Sequence, residues 1–254
     1  MVAVEARFPA ATTALRPPGQ RALRDHLGSD WVIEGAKEQT VEIALASGVP
    51  GNPVVKTEEV TRITMRDRTV AVTVRPERLT IEATSYRGYP AFREILRRAF
   101  EAVEDVLRPD GVIRLGLRYI DEIRVPGLTE PSEWVEWIDP SLLSSRADGL
   151  VAVEWTGAAQ YQTGAEQRLV LRHGTSDGPV VDPSGPLRRP LPPPTGPVFV
   201  LDFDSFWQPD LIPAFRTPDL LVACDQLRGP ARSLFDQLLT DRLIDDVFRK
   251  DPLA

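Results

Sequence analysis

Three short runs, TRITM at 61–65, TVAVTV at 69–74 and RLTIEAT at 78–84, constrain this chain more than any other feature. They are rich in β-branched residues, and only RDR and RPE separate them. Spacers this short close hairpins, whereas a parallel crossover needs roughly a dozen residues or more. The three runs are therefore expected to form an antiparallel meander.

Pro90 then opens the strongest helical pattern of the sequence. Phe92, Ile95, Leu96, Ala99, Phe100, Val103, Val106 and Leu107 form one apolar stripe, with Arg93, Arg97, Glu101 and Glu104 on the other face. Pro109-Asp110-Gly111 ends it. This helix is predicted to lie across the meander and bury the core of the N-terminal half. Upstream, VAVEARF at 2–8 reads as a strand, and Pro17-Pro18 open a short helix through Leu23 and Leu27 that Gly28 closes. Residues 31–46 read as one or two strands and 47–53 as a loop.

Downstream of the long helix, residues 112–125 give a clean alternation. Ile113, Leu115, Leu117, Tyr119 and Ile123 fall on one face, and Arg114, Arg118, Glu122 and Arg124 on the other. SEWVEWIDP reads as a short helix capped by Ser132 with Trp134 and Trp137 on one side. LVAVEWT and EQRLVLRH within 149–172, and GPVFVLDFDSF at 196–206, read as further strands. Gly229-Pro230 opens a last helix with Leu234, Phe235, Leu238, Leu239, Leu243, Val247 and Phe248 on its apolar face. The expected fold class is α+β, with antiparallel sheets packed by helices. Two strand-then-helix halves, 1–126 and 127–254, form one compact unit. The likeness of the halves is one of shape, since no residue-level repeat is present.

The seven prolines of residues 182–197 predict an exposed, polyproline II-like connection. Within it, Arg189-Pro190-Leu191-Pro192-Pro193-Pro194 approaches the basic PxxP pattern that SH3 folds read, with a plain linker as the simpler reading.

Charge and cysteine content narrow the function. A net charge of −7 gives the whole molecule no general attraction for nucleic acid or an anionic membrane, so a nucleic-acid role needs a local basic patch. Of the 30 basic residues only Lys37, Lys56 and Lys250 are lysine, so 27 are arginine, the residue suited to planar, bidentate pairing. Cys224 is the single cysteine, which excludes an internal disulfide and suits a reducing compartment. No run approaches the roughly 20 apolar residues of a membrane span, and Glu5 and Arg7 stand where a signal peptide needs apolar residues. A cytoplasmic address with no membrane association is expected.

Three residue sets offer chemistry. Asp202 and Asp204 alternate with Leu201 and Phe203, so both carboxylates share one strand face, as partial ligands for a hard cation such as Mg²⁺ or as acceptors for loop hydrogen bonds. The face carrying Arg114, Arg118, Glu122 and Arg124 offers a phosphate or carboxylate site, with Arg168 and Arg172 adding to it from a second strand. Glu122 and Glu82 equally suit cross-strand ion pairs there. His26 and His173 read as surface or capping residues, and Cys224, beside Asp225, reads as an inert thiol.

The motifs RLGLRYIDEI and LDFD, followed by the closing SLFDQLLTDRLIDDVF, are similar in order and spacing to a sporadically distributed, uncharacterised bacterial protein family. Its members carry an RxGLRYxNxI strand, an LDxD strand and a closing helix with Phe and Thr-Asp. Arg114, Gly116, Leu117, Arg118, Tyr119, Ile120 and Ile123 match the first motif, with Asp121 in place of asparagine. Leu201, Asp202 and Asp204 match the second, and Phe235, Thr240 and Asp241 the third. The resemblance implies an accessory role tied to mobile-element or defence systems and supplies no catalytic residue or cofactor.

The leading expectation is a non-enzymatic accessory protein that binds a protein partner. One alternative is a metal-dependent phosphate-ester or nucleotide-processing enzyme of the triphosphatase-tunnel type, with Glu5-x-Arg7 where such tunnels carry Glu-x-Glu-x-Lys. Another is a nucleic-acid binder that uses the arginine-lined sheet face.

Overall fold

The computed structural model describes residues 1–10, 15–42, 45–46, 49–50, 54–143, 149–178, 185–189 and 196–248, with positions 36 and 38–59 described at most by backbone. The fold is α+β. Among the described residues eleven strands occur: β1 (Val2–Arg7), β2 (Trp31–Glu42), β3 (Leu45–Ala46), β4 (Val49–Pro50), β5 (Val54–Met65), β6 (Val70–Arg75), β7 (Arg78–Ala83), β8 (Arg114–Ile123), β9 (Thr156–Gln162), β10 (Gln167–Asp177) and β11 (Pro197–Trp207). The principal helices are α1 (Pro17–Leu27), α2 (Tyr89–Val106) and α3 (Thr217–Leu238).

Nine strands make one antiparallel sheet in the order β2-β5-β6-β7-β1-β8-β11-β10-β9, and β3 pairs with β4 as a separate ribbon. The meander is present as β5-β6-β7. β1 inserts between β7 and β8, and β8 pairs with β11, which joins the two halves into one sheet. β1, β7, β8 and β11 send alternate side chains to the helices. Val4, Leu79, Ile81, Leu115 and Leu117 meet Phe92, Leu96, Phe100 and Val103 of α2, while Phe199, Leu201 and Phe203 meet Ala231 and Leu238 of α3. Burial of these stripes is the main favourable term, and among the described residues no helix covers the sheet's opposite face.

Several boundaries depart from the sequence reading. β5 begins at Val54, well before the predicted TRITM run, and its N-terminal part pairs with β2. α3 begins at Thr217, and Pro230 lies inside it. Proline suits a first turn, which is why it read as a start, but Leu220, Leu221, Cys224 and Leu227 already carry the apolar stripe two turns earlier. The chain leaves α3 at Leu239, and Thr240 caps a short turn that buries Leu243. LVAVEWT is not a strand: Leu150, Val151 and Val153 are at least 75% exposed, and the strand is Thr156–Gln162. Ile113 is exposed ahead of β8 rather than in the core. The turn at Pro131–Glu136 is a 3₁₀ helix capped by Glu130 and Glu133, not by Ser132, and it buries Trp134.

The proline-rich connection is not wholly exposed. Leu187 is buried, the amide of Arg188 donates to the carbonyl of Arg68, and Thr84 donates to the carbonyl of Arg188. The predicted PxxP run beyond Arg189 lies outside the described residues.

Candidate functional site

The helix-free face of the sheet carries the predicted site residues. Period-two alternation places Arg114, Gly116, Arg118, Ile120 and Glu122 of β8 on it, and register sets them beside Asp202, Asp204 and Phe206 of β11. Arg118 sits directly opposite Asp204 yet reaches diagonally to Asp202, donating two hydrogen bonds of 2.7 and 2.8 Å to its carboxylate. Arg172, on β10 opposite Asp202, lies 3.7 Å from the same group. Arg114 reaches Asp204 at 3.4 Å, with its guanidinium 4.6 Å above the ring of Phe206. Gly116 permits that pose, because a Cβ there would stand 2.7 Å from the Arg114 guanidinium. Arg168 is exposed on the same face at the level of Phe206.

The two aspartates thus stand on one face, as alternation predicts, and both accept from arginine. A cation drawing on them would compete with Arg118 and Arg114 for the same oxygens. Among the described residues no three His, Cys, Asp or Glu side chains converge.

The other two predicted residues are drawn away from the open face. Arg124 lies just past the end of β8 and donates to the carbonyl of Gly196 at 2.9 Å. Glu122 is only 8% exposed, because Arg189 of the proline-rich connection closes over it at 2.6 Å.

Register also assembles a feature that the sequence reading missed. Arg75 of β6 faces Arg78 of β7, Arg78 faces Arg7 of β1, and Arg7 faces Arg114 of β8. Four arginines therefore stand side by side across four neighbouring strands, a row spanning roughly 14 Å at ~4.8 Å per strand. Glu5 holds three of them, accepting from Arg7 at 2.7 Å, Arg78 at 3.4 Å and Arg114 at 3.5 Å. Arg75 donates to Thr80 at 3.2 Å. Two grooves lie on this face, of which the first adjoins the row. One of about 320 Å³ is lined by Arg7, Arg114, Arg118, Glu5 and Asp204. The other, of about 600 Å³, runs past Arg118 and Arg172 toward β9.

On the helical side a smaller cavity of about 140 Å³ lies between β8 and α3, lined by Tyr119, Asp121, Arg228 and Arg232 among others. Burial pushes the Asp121 carboxyl up to about 6, against the attraction of the Met1 ammonium and Arg232. Burial also raises the Tyr119 phenol, and the neighbouring Tyr86 hydroxyl adds to the rise.

His26 lies 3.7 Å from Asp105 at the surface. His173 is half-buried rather than superficial, stacked on Phe199, and burial lowers its pKa. The Cys224 thiol is raised first by burial and then by Asp225, which fits an inert group. Neither a protein-family model nor a curated protein matches this chain.

Proposed function

We propose that this protein is a binding protein that takes a single strand of nucleic acid across the open face of its sheet, with the phosphate backbone along Arg75, Arg78, Arg7 and Arg114. The row of directly opposed arginines carries this reading. Like charges set opposite one another across strands are destabilising, and Glu5 is the carboxylate shared by three of the four. A chain of regularly repeated phosphates meets that charge pattern with bidentate contacts. The face is a local exception to the net charge of −7, so association is directional: the rest of the surface repels the polymer.

The test is fluorescence anisotropy with labelled single-stranded oligonucleotides at several salt concentrations. Three or four phosphate contacts predict a slope of log K against log salt of about −2 to −3. Arg7→Gln and Arg78→Gln should each weaken binding about uniformly across sequences. Absence of binding at low salt, or binding indifferent to both substitutions, overturns the reading.

A protein partner remains as a second reading, and a separate observation favours it. β9 ends the sheet, its sequence TGAAQYQ has neither charge nor proline to protect an edge, and Leu150, Val151 and Val153 stand exposed just before it. An extended partner segment adding to β9 fits that edge. Replacing Ala159 by proline should abolish capture of such a partner without touching the arginine row; unchanged capture would retire strand addition.

A further inference from the structure

The cavity between β8 and α3 is separate from the arginine row, since it opens on the helical side of the sheet. We propose that it binds a small zwitterion of the free amino-acid type, with the ligand's amine on Asp121 and its carboxylate on Arg228.

Size sets the first limit. A volume of about 140 Å³ is close to the roughly 150 Å³ of an engineered cavity that admits benzene, so the ligand's body is no larger than a short branched chain or a single small ring. Polarity sets the second. Tyr119 and Asp121 are alternate residues of β8 and line the same space. The Tyr119 hydroxyl is buried beside that of Tyr86, which also lines the space, and makes no hydrogen bond of good geometry among the described residues. The Asp121 carboxylate forms no hydrogen bond or close ion pair among the described residues, and the cations acting on it, the Met1 ammonium and Arg232, do so at longer range. The Met1 ammonium itself donates to the carbonyl of Ile120 at 2.8 Å.

The opposite wall belongs to α3. Arg228 and Arg232 are one turn apart on it, so both reach the same side of the helix. Arg228 lies 4.8 Å over the ring of Tyr89, and Arg232 meets Asp236 through its Nε at 2.8 Å. Val2, Phe203 and Phe235 supply apolar surface between the two walls. The space therefore presents a hydrogen-bond acceptor on one side, guanidinium donors on the other, and apolar contact between.

That separation selects for opposite charges within one ligand. A plain carboxylate on Arg228 would leave Asp121 facing a second negative charge, and a plain amine on Asp121 would face two guanidiniums. A zwitterion satisfies both walls, and the Tyr119 hydroxyl gains an acceptor in its carboxylate.

The experiment is calorimetric titration and thermal shift of the full chain, with the free amino acids as probes. Valine, its deaminated analogue 3-methylbutanoate and its decarboxylated analogue isobutylamine form the decisive set. A small aliphatic amino acid should bind and raise Tm, and both analogues should bind at least tenfold more weakly. Asp121→Asn and Arg228→Gln should each lose tenfold or more in affinity while circular dichroism shows the fold intact. Arg7→Gln should leave this binding unchanged, which separates the cavity from the open face. The proposal fails if no amino acid binds, if either analogue binds as well as valine, or if both variants bind as the parent does.

Discussion

Arg189 donates hydrogen bonds of 2.6 and 2.9 Å to the two carboxylate oxygens of Glu122, 67 residues away along the chain. This pair fastens the proline-rich connection to the end of β8 and shields Glu122 from water. Arg124 approaches the same carboxylate at 3.5 Å, with two of its own nitrogens buried and lacking hydrogen bonds.

Removing one member of a buried pair is costly because the other charge stays behind. Arg189→Ala should destabilise by about 2–4 kcal/mol, and Arg189→Leu combined with Glu122→Leu by clearly less than the sum of the single changes. Urea melts of the double-mutant cycle measure this. A coupling below about 0.5 kcal/mol would mean that the connection is not held by this contact.

Glu5 offers a case in which stability and affinity should move in opposite directions. Glu5→Gln removes the carboxylate shared by Arg7, Arg78 and Arg114. Melting should occur at lower temperature, with about 1–2 kcal/mol lost at low ionic strength and part of it recovered in salt, since screening weakens repulsion between exposed charges. Oligonucleotide affinity should rise. Thermal melts and anisotropy on one protein preparation read both quantities.

Asp121 predicts a pH dependence. Its folded value of about 6 stands above the ordinary carboxyl value of 3.8, so the folded state holds the proton more tightly than the unfolded state does. The associated stability is complete below about pH 4 and is lost as the pH rises through 6. Asp121→Asn should flatten that segment of the stability profile and stabilise the protein at neutral pH by on the order of 2 kcal/mol. Denaturant melts from pH 4 to 7 give the slope, and an unchanged slope would show that another group sets it.

Burial separates two apolar segments that look alike as sequence. Phe100 is fully buried against Leu96 and the edge of Phe215, so Phe100→Ala should cost about 3–5 kcal/mol. Val153 is 82% exposed, and Val153→Ser should change stability by less than about 0.5 kcal/mol. Chemical denaturation of the two variants tests both statements.

The parts of the fold legible in the sequence are those governed by near neighbours. RDR and RPE permit only hairpins, and the stripe from Phe92 to Val106 has a helical period, so the β5-β6-β7 meander and α2 are present, although β5 starts earlier than its apolar run. LVAVEWT misleads because its alternation is genuine but strand pairing reaches only its last two residues, leaving Leu150, Val151 and Val153 in solvent. The edge is taken instead by TGAAQYQ, whose small and polar residues give no periodic signal. Pro230 misleads because a residue that favours a first turn is tolerated inside a helix that other residues already hold to the core.

The candidate site divides in the same way. Alternation alone places Arg114 with Arg118 and Asp202 with Asp204. That Arg118 meets Asp202 across 84 residues follows from the pairing of β8 with β11, and that Arg7, Arg75, Arg78 and Arg114 form one row follows from the insertion of β1 between β7 and β8. Sequence by itself determined the element types and which side chains share a face, because backbone sterics and hydrophobic period act over a few residues. Only the tertiary structure decided which charges meet, because strand order and register are set by burying one common core beneath α2 and α3.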